Sequence, residues 1–308
     1  MVLRSKRQLY ASLVLLVFFI LFIINLKSSK METLQIAPPT FYIRTHTFPK
    51  TPICSEKQKI DVNPCCKKSY FWGSGKCGSS TLAMLLKHAP PSHEIYDHSS
   101  AFIDSRKEIC LAQIFEKSPK SKNYSECAVR NGKCNKMLRL LDACPMHTTK
   151  KEAETLACHD PSAKFVMLIR DPVLRTISEF NDNRIRFNAF VDVDNIISFY
   201  HLSNYYQIAK NLLEYFPSKN LLFVQIEALQ NQAKTQHVIN AVTDHLEIPR
   251  RSVGFVLGNY QRNSKEYVML DFKQLRFHAK RMRSNVNLFS NLTGYTFNWL
   301  STNLENTE

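Results

Sequence analysis

Along this 308-residue chain, short and almost wholly apolar runs alternate with longer stretches in which apolar residues recur every three or four positions. Strand-length runs occur at the aromatic Tyr70-Phe71-Trp72, at 164–169 and at 221–226. None of them alternates polar with apolar, which is the pattern of strands covered on both faces in a parallel sheet. Helical spacing follows each run, at 82–87, 173–183 and 230–246, the last stopped near Pro249. Another helix is expected over 205–216, ended by Pro217, and closing helices over 275–299. The alternation predicts an α/β fold in which a parallel sheet is flanked by helices.

The pattern changes character ahead of this region. Residues 9–26 are almost entirely apolar and long enough for a thin bilayer core of roughly 27–30 Å. Arg4, Lys6 and Arg7 precede them while Lys27 and Lys30 follow, which mildly favours a cytoplasmic tail at 1–8. No small-x-small cleavage site follows, so 9–26 reads as an uncleaved signal-anchor with the remainder lumenal. Residues 27–53 carry Pro38, Pro39, Pro49 and Pro52 without either period and read as a stem. A lumenal domain is expected over 54–308. Inside it, 90–158 reads as a cysteine-rich insertion, with helical fragments such as Met137-Leu138-Arg139-Leu140-Leu141.

The nine cysteines agree with a lumenal domain. Cys54, Cys65, Cys66, Cys77, Cys110, Cys127, Cys134, Cys144 and Cys158 all precede His159, and none forms a C-x-x-C pair. Setting Cys77 aside leaves eight, an even number suited to disulfides in an oxidising compartment. Asn123-Tyr124-Ser125 and Asn291-Leu292-Thr293 are glycosylation sequons, usable where that part is lumenal. A formal net charge of +15 favours anionic partners. No RNA- or DNA-binding module accompanies the charge, so nucleic acid is the weaker reading.

Candidate chemistry begins where the aromatic run breaks into Gly73-Ser74-Gly75-Lys76-Cys77-Gly78-Ser79-Ser80-Thr81. The whole chain has 7 glycines, and Gly73, Gly75 and Gly78 all fall in this turn. Glycine concentrated at one spot signals positive φ or close backbone approach. A glycine turn opening into a helix, with hydroxyls and one lysine, is a phosphate cradle in which backbone N–H groups converge on an anion. It is not a Walker A loop, because Cys77 follows Gly75-Lys76 and Tyr70 stands five before Gly75.

A second stretch, 164–169, ends in Arg170-Asp171-Pro172, with Arg175 and Ser178 following on a helical segment. Together the two stretches resemble the cofactor-binding elements of the sulfotransferase family. In that family the first loop holds the 5′-phosphosulfate of PAPS (3′-phosphoadenosine 5′-phosphosulfate), and an R-D-P-x-x-R-x-x-S segment holds its 3′-phosphate. The resemblance implies that Gly75, Lys76, Cys77, Gly78, Ser79 and Ser80 line the 5′ end. It implies that Arg170 and Ser178 grip the 3′ end, at the family's eight-residue spacing. Arg175, taken alone, reads as an ordinary exposed helical arginine.

The resemblance implies a Golgi carbohydrate sulfotransferase: a type II membrane protein acting on a glycan or proteoglycan, with protein tyrosine less favoured. Sulfuryl transfer needs no bound metal where Lys76 and loop amides neutralise the leaving group, so none is expected. The acceptor hydroxyl needs a base within hydrogen-bond reach. Related carbohydrate enzymes commonly use a glutamate after the loop helix and cytosolic ones a histidine. The candidates are Glu94, Asp97 and His98. Two other readings stay open: a lumenal glycosyltransferase using Asp192-Val193-Asp194 as a metal-binding D-x-D, and a non-catalytic glycan-binding relative.

Overall fold

The unbroken apolar runs lie side by side in the middle of one sheet. A computed structural model describes residues 35–43, 49–54, 67–73, 75–88, 129–130, 133–134, 139–142, 148–187, 193–230, 232–248, 250 and 270–299. Five strands form the sheet: β1 (Thr40–Phe41), β2 (Lys67–Trp72), β3 (Arg139–Asp142), β4 (Lys164–Ile169) and β5 (Leu221–Gln225). Their order is β1-β5-β4-β2-β3. β2 pairs in parallel with β3 and β4, β4 pairs in parallel with β5, and β1 runs antiparallel with Phe41 opposite Phe223. The sheet is therefore mixed, where a wholly parallel one was expected.

The described residues form six α-helices: α1 (Ser79–His88), α2 (Lys150–His159), α3 (Pro172–Phe187), α4 (Tyr205–Leu213), α5 (Gln232–Leu246) and α6 (Phe272–Thr293). Local chemistry fixes several of their ends. Thr149 and Glu152 form a capping box on α2, Asp271 and Gln274 form one on α6, and Gly294 closes α6 in the left-handed region. Phe165 to Ile169 of β4 are all buried, as strands covered on both faces require. Phe165 sits among Tyr70, Trp72 and Phe216, and Phe223 sits between Phe41 and Phe289. Each ring so buried stabilises the fold by about 1.5–3 kcal/mol.

Three elements depart from the sequence pattern. Thr40–Phe41 lies in the stretch expected as stem, yet it forms the sheet edge, with Ala37, Phe41 and Ile43 buried in the core. A two-residue strand has no period to read. Arg139–Asp142 is a strand, although the sequence there reads as helical; a short apolar run fits either state, and pairing with β2 decides it. The closing stretch is one helix, α6, followed by the two-residue strand Tyr295–Thr296.

A disulfide joins Cys54 to Cys158 and pins the segment before β2 onto α2. Cys77 is unbridged and buried. The expected anchor at 9–26 lies outside the described residues, among which no helix is long and apolar enough to cross a membrane. Asn291 is exposed near the end of α6, and Asn123 lies outside the described residues.

From β2 the chain passes to β3 on one side and then to β4 on the other. The direction of winding reverses between β2 and β4. Open α/β sheets bind ligands in the crevice that such a reversal leaves beyond the carboxyl ends of the strands.

Candidate functional site

Both phosphate-type turns leave the sheet at that crevice. The first follows β2, with Gly73, Lys76 and Gly78 at φ of 114°, 65° and 82°. The glycines take these angles freely, whereas left-handed backbone at Lys76 costs about 1–2 kcal/mol. At Gly78 space is a second constraint, since a Cβ there would lie 1.9 Å from Ile226 Cδ1, just beyond β5. Gly75 contributes differently: its carbonyl accepts a hydrogen bond from Arg175 Nε at 3.0 Å. Ser74 lies outside the described residues.

The turn delivers the chain into α1, whose first ladder bond runs from Leu82 N–H to Gly78 C=O at 2.9 Å. A helix leaves its first amides without intrahelical acceptors, and these with the helix dipole favour an anion. No acidic side chain stands in the first turn of α1 to compete. Ser79 is buried there and Ser80 is exposed. Lys76 extends its ammonium to Asp182 on α3, 2.7 Å away, and both side chains keep contact with solvent.

The second turn follows β4 and uses ordinary backbone. Asp171 Oδ1 accepts the N–H groups of Val173 and Leu174, capping α3, and Pro172 occupies the first helical position. Arg170, just before the cap, is partly exposed, and its Nη1 donates to the Lys76 carbonyl at 3.4 Å. Residues 175, 178 and 182 recur at helical spacing along α3, so they share a face. Arg175 and Asp182 both meet the glycine turn, and Ser178 stands between them, partly exposed. The contacts of Lys76 with Asp182, of Arg175 with Gly75 and of Arg170 with Lys76 thus bring the two turns and α3 together.

Several residues complete this arrangement in ways that the sequence alone did not indicate. Arg175, expected to be exposed, is fully buried: its guanidinium also reaches the Phe199 carbonyl at 3.4 Å and pairs with Glu179 at 2.6 Å. The signal was present as an i,i+4 Arg–Glu pair on a helix facing the turn. Tyr205, the first residue of α4, is buried, and its hydroxyl meets Cys77 Sγ at 3.4 Å and the Arg170 N–H at 3.3 Å. Glu227 accepts the Asp171 N–H at 2.9 Å through Oε1. Its Oε2 is buried and has no hydrogen-bond partner among the described residues. Burial pushes the Glu227 carboxyl above the ordinary glutamate value, against the pull of the Asp171 amide and the Arg170 charge. Neither Tyr205 nor Glu227 had a distinguishing motif.

The base candidates Glu94, Asp97 and His98 lie outside the described residues, as does Asp192 of the D-x-D. Among the described residues no group of His, Cys, Asp and Glu side chains is arranged to hold a metal ion.

A family model described as a sulfotransferase domain matches residues 71–287. No curated protein matches the sequence. Among solved structures, the chain is similar to a sulfotransferase from Alicyclobacillus acidocaldarius, with 14% identity and a TM-score of 0.49 over 74% of this chain and 96% of that one. It is also similar to the sulfotransferase domain of the Synechococcus PCC 7002 olefin synthase, with 17% identity and a TM-score of 0.36 over 62% and 76% of the two chains.

Proposed function

Since the chain belongs to the sulfotransferase domain family, we propose that it is a Golgi enzyme moving a sulfuryl group from PAPS to a glycan hydroxyl. One observation carries the donor assignment. The guanidinium of Arg170 reaches the carbonyl of Lys76 at 3.4 Å, so the two cationic turns border one crevice. The donor set fits a nucleotide with phosphates at both ends: amides of a helix start, a lysine and hydroxyls on one side, an arginine fork and Ser178 on the other. Gly78 supports the same fit, because any side chain there would strike Ile226 and push the turn out of place.

When bound, PAPS supplies an activated sulfuryl group on its 5′-phosphate. Lys76 and the first-turn amides of α1 stabilise negative charge at that end, where it grows as the leaving group departs. Arg170 would hold the 3′-phosphate, and a guanidinium can fix its orientation as well as add affinity. Ser178 adds a hydroxyl donor beside it. Asp182 keeps Lys76 aimed across the turn until a more highly charged partner competes for it. One of Glu94, Asp97 and His98 takes the proton of the acceptor hydroxyl in this proposal.

The compartment and acceptor rest on other features. The Cys54–Cys158 bond suits an oxidising lumen, in line with the apolar stretch at 9–26. The net charge of +15 suits an acidic glycan of glycosaminoglycan type. The test is transfer of labelled sulfate from PAPS by the full-length protein to a panel of neutral and acidic glycans. Label fixed on a glycan hydroxyl is the expected result. Label on tyrosine peptides instead, or PAPS binding without transfer to any acceptor, would overturn the acceptor assignment.

A further inference from the structure

Two turns that hold opposite ends of one nucleotide must keep a constant separation, because the ligand's own length is fixed. Arg170 and Arg175 reach across from the second turn or its helix to backbone carbonyls of the first. Tyr205 differs from both, since it comes from α4, a third element. Its single hydroxyl oxygen accepts the Arg170 N–H at 3.3 Å and lies 3.4 Å from Cys77 Sγ. The assignment of protons is consistent, because a phenol that accepts from an amide still has its own proton to give to sulfur. The ring packs against Phe289 of α6 and Trp299. The hydroxyl is therefore a fixed point against which both turns are registered.

We propose that Tyr205 is a positioning residue that sets the spacing between the two anion-binding turns, so that they close on one nucleotide together. This deepens the donor reading above and depends on it. Burial also pushes the phenol well above its ordinary range, which favours the protonated form that the contact with Cys77 uses and adds no negative charge beside Lys76 and Arg170. Cys77 has a matching part. Its side chain is wholly buried in the turn, pointing away from solvent and toward the tyrosine.

The experiment compares two ligands on the full-length protein: 3′-phosphoadenosine 5′-phosphate, which spans both turns, and 5′-AMP, which lacks the 3′-phosphate. Tyr205→Phe keeps the ring and deletes the hydroxyl. Spacing control predicts that the two-ended ligand loses about five- to tenfold in affinity, the scale of one neutral hydrogen bond, while 5′-AMP loses about twofold or less. Alkylation of Cys77 in the folded protein, followed at its own peptide, should speed up in the variant. Tyr206→Phe, the next residue along α4, should change none of these.

Equal losses for both ligands, or no loss for either, overturn the proposal and reduce Tyr205 to a packing residue. Should Tyr205→Phe fail to fold, Cys77→Ala removes the other end of the contact and must show the same ligand-selective loss. If the wild-type protein itself does not prefer the 3′-phosphorylated ligand, the donor reading fails first and takes this inference with it. If it does prefer that ligand and Tyr205→Phe keeps the full preference, the tyrosine's role alone is wrong.

Discussion

After β2 the chain turns through Gly73, Lys76 and Gly78, all at positive φ. After β4 it turns through Arg170-Asp171-Pro172, none of them at positive φ, with an aspartate cap and a proline at the helix start. Both turns aim a helix N-terminus at the same crevice, but they present different donors. The first spends backbone conformation to expose amides, which needs glycine where Ile226 presses on the turn. The second leaves the backbone regular and relies on a side-chain fork. A cradle of amides suits a site where charge develops during reaction, because its dipoles are fixed in advance. A side-chain fork suits an end that only has to be recognised.

The contrast is sharpest where it can be broken. The largest expected effect is on folding. Arg175 is fully buried and ties the glycine turn to α3, and removing one partner of a buried pair costs about 3–5 kcal/mol. Arg175→Leu should lower the thermal midpoint sharply, and an unchanged midpoint would mean that the first turn stands without α3. Next comes chemistry at the two ends. Lys76→Ala should cut kcat by about 10²–10³-fold, the scale of one lost transition-state donor. Arg170→Ala should raise KM for the donor more than it lowers kcat. The opposite split, read from steady-state kinetics with labelled PAPS, would exchange the roles given to the two turns.

Gly78→Ala tests the cost of the backbone strategy. The added methyl meets Ile226 and sits at φ +82°, so stability should fall by about 1–3 kcal/mol in chemical denaturation. Gly75→Ala should cost less, since Gly75 is not at positive φ. Equal losses at the two positions would remove Ile226 from the account.

The smallest effect concerns Glu227, which supports the second turn through the Asp171 amide. Its carboxyl titrates above the ordinary 4.5 because it is buried, so the folded state holds that proton more tightly than the unfolded chain does. The stabilisation from this group is full below 4.5 and is lost as pH rises through the raised value. Glu227→Gln should flatten the stability profile in that window, and superimposable profiles would contradict the assignment.

How much of this was legible differs between the turns for the same physical reason. Side-chain devices are written in residue identity. The Asp-Pro cap, the Arg170 fork and the step to Ser178 can be read from the chain, as can the strand at 164–169 that leads to them. The backbone device is half legible. Clustered glycines announce it, but Ile226 and Tyr205, which press on the turn, lie on elements that read as packing alone, and Arg175 read as an exposed residue although it is buried against the turn. Gly75 shows the limit, since the composition groups it with Gly73 and Gly78 while the structure gives the left-handed angle to Lys76 instead. The edge strand at Thr40–Phe41 escaped because proline-rich sequence with no period looks like a tether, and only pairing with β5 reveals it. At Arg139–Asp142, a few apolar residues fit either a helix or a strand until β2 lies beside them.

Whether both turns hold one nucleotide is measured directly by a crystal structure of the protein with 3′-phosphoadenosine 5′-phosphate. The 5′-phosphate is expected at the start of α1 beside Lys76, with the 3′-phosphate on Arg170 and Ser178. A nucleotide bound with Arg170 turned away from it, or seated outside the crevice between β2 and β4, would contradict the account.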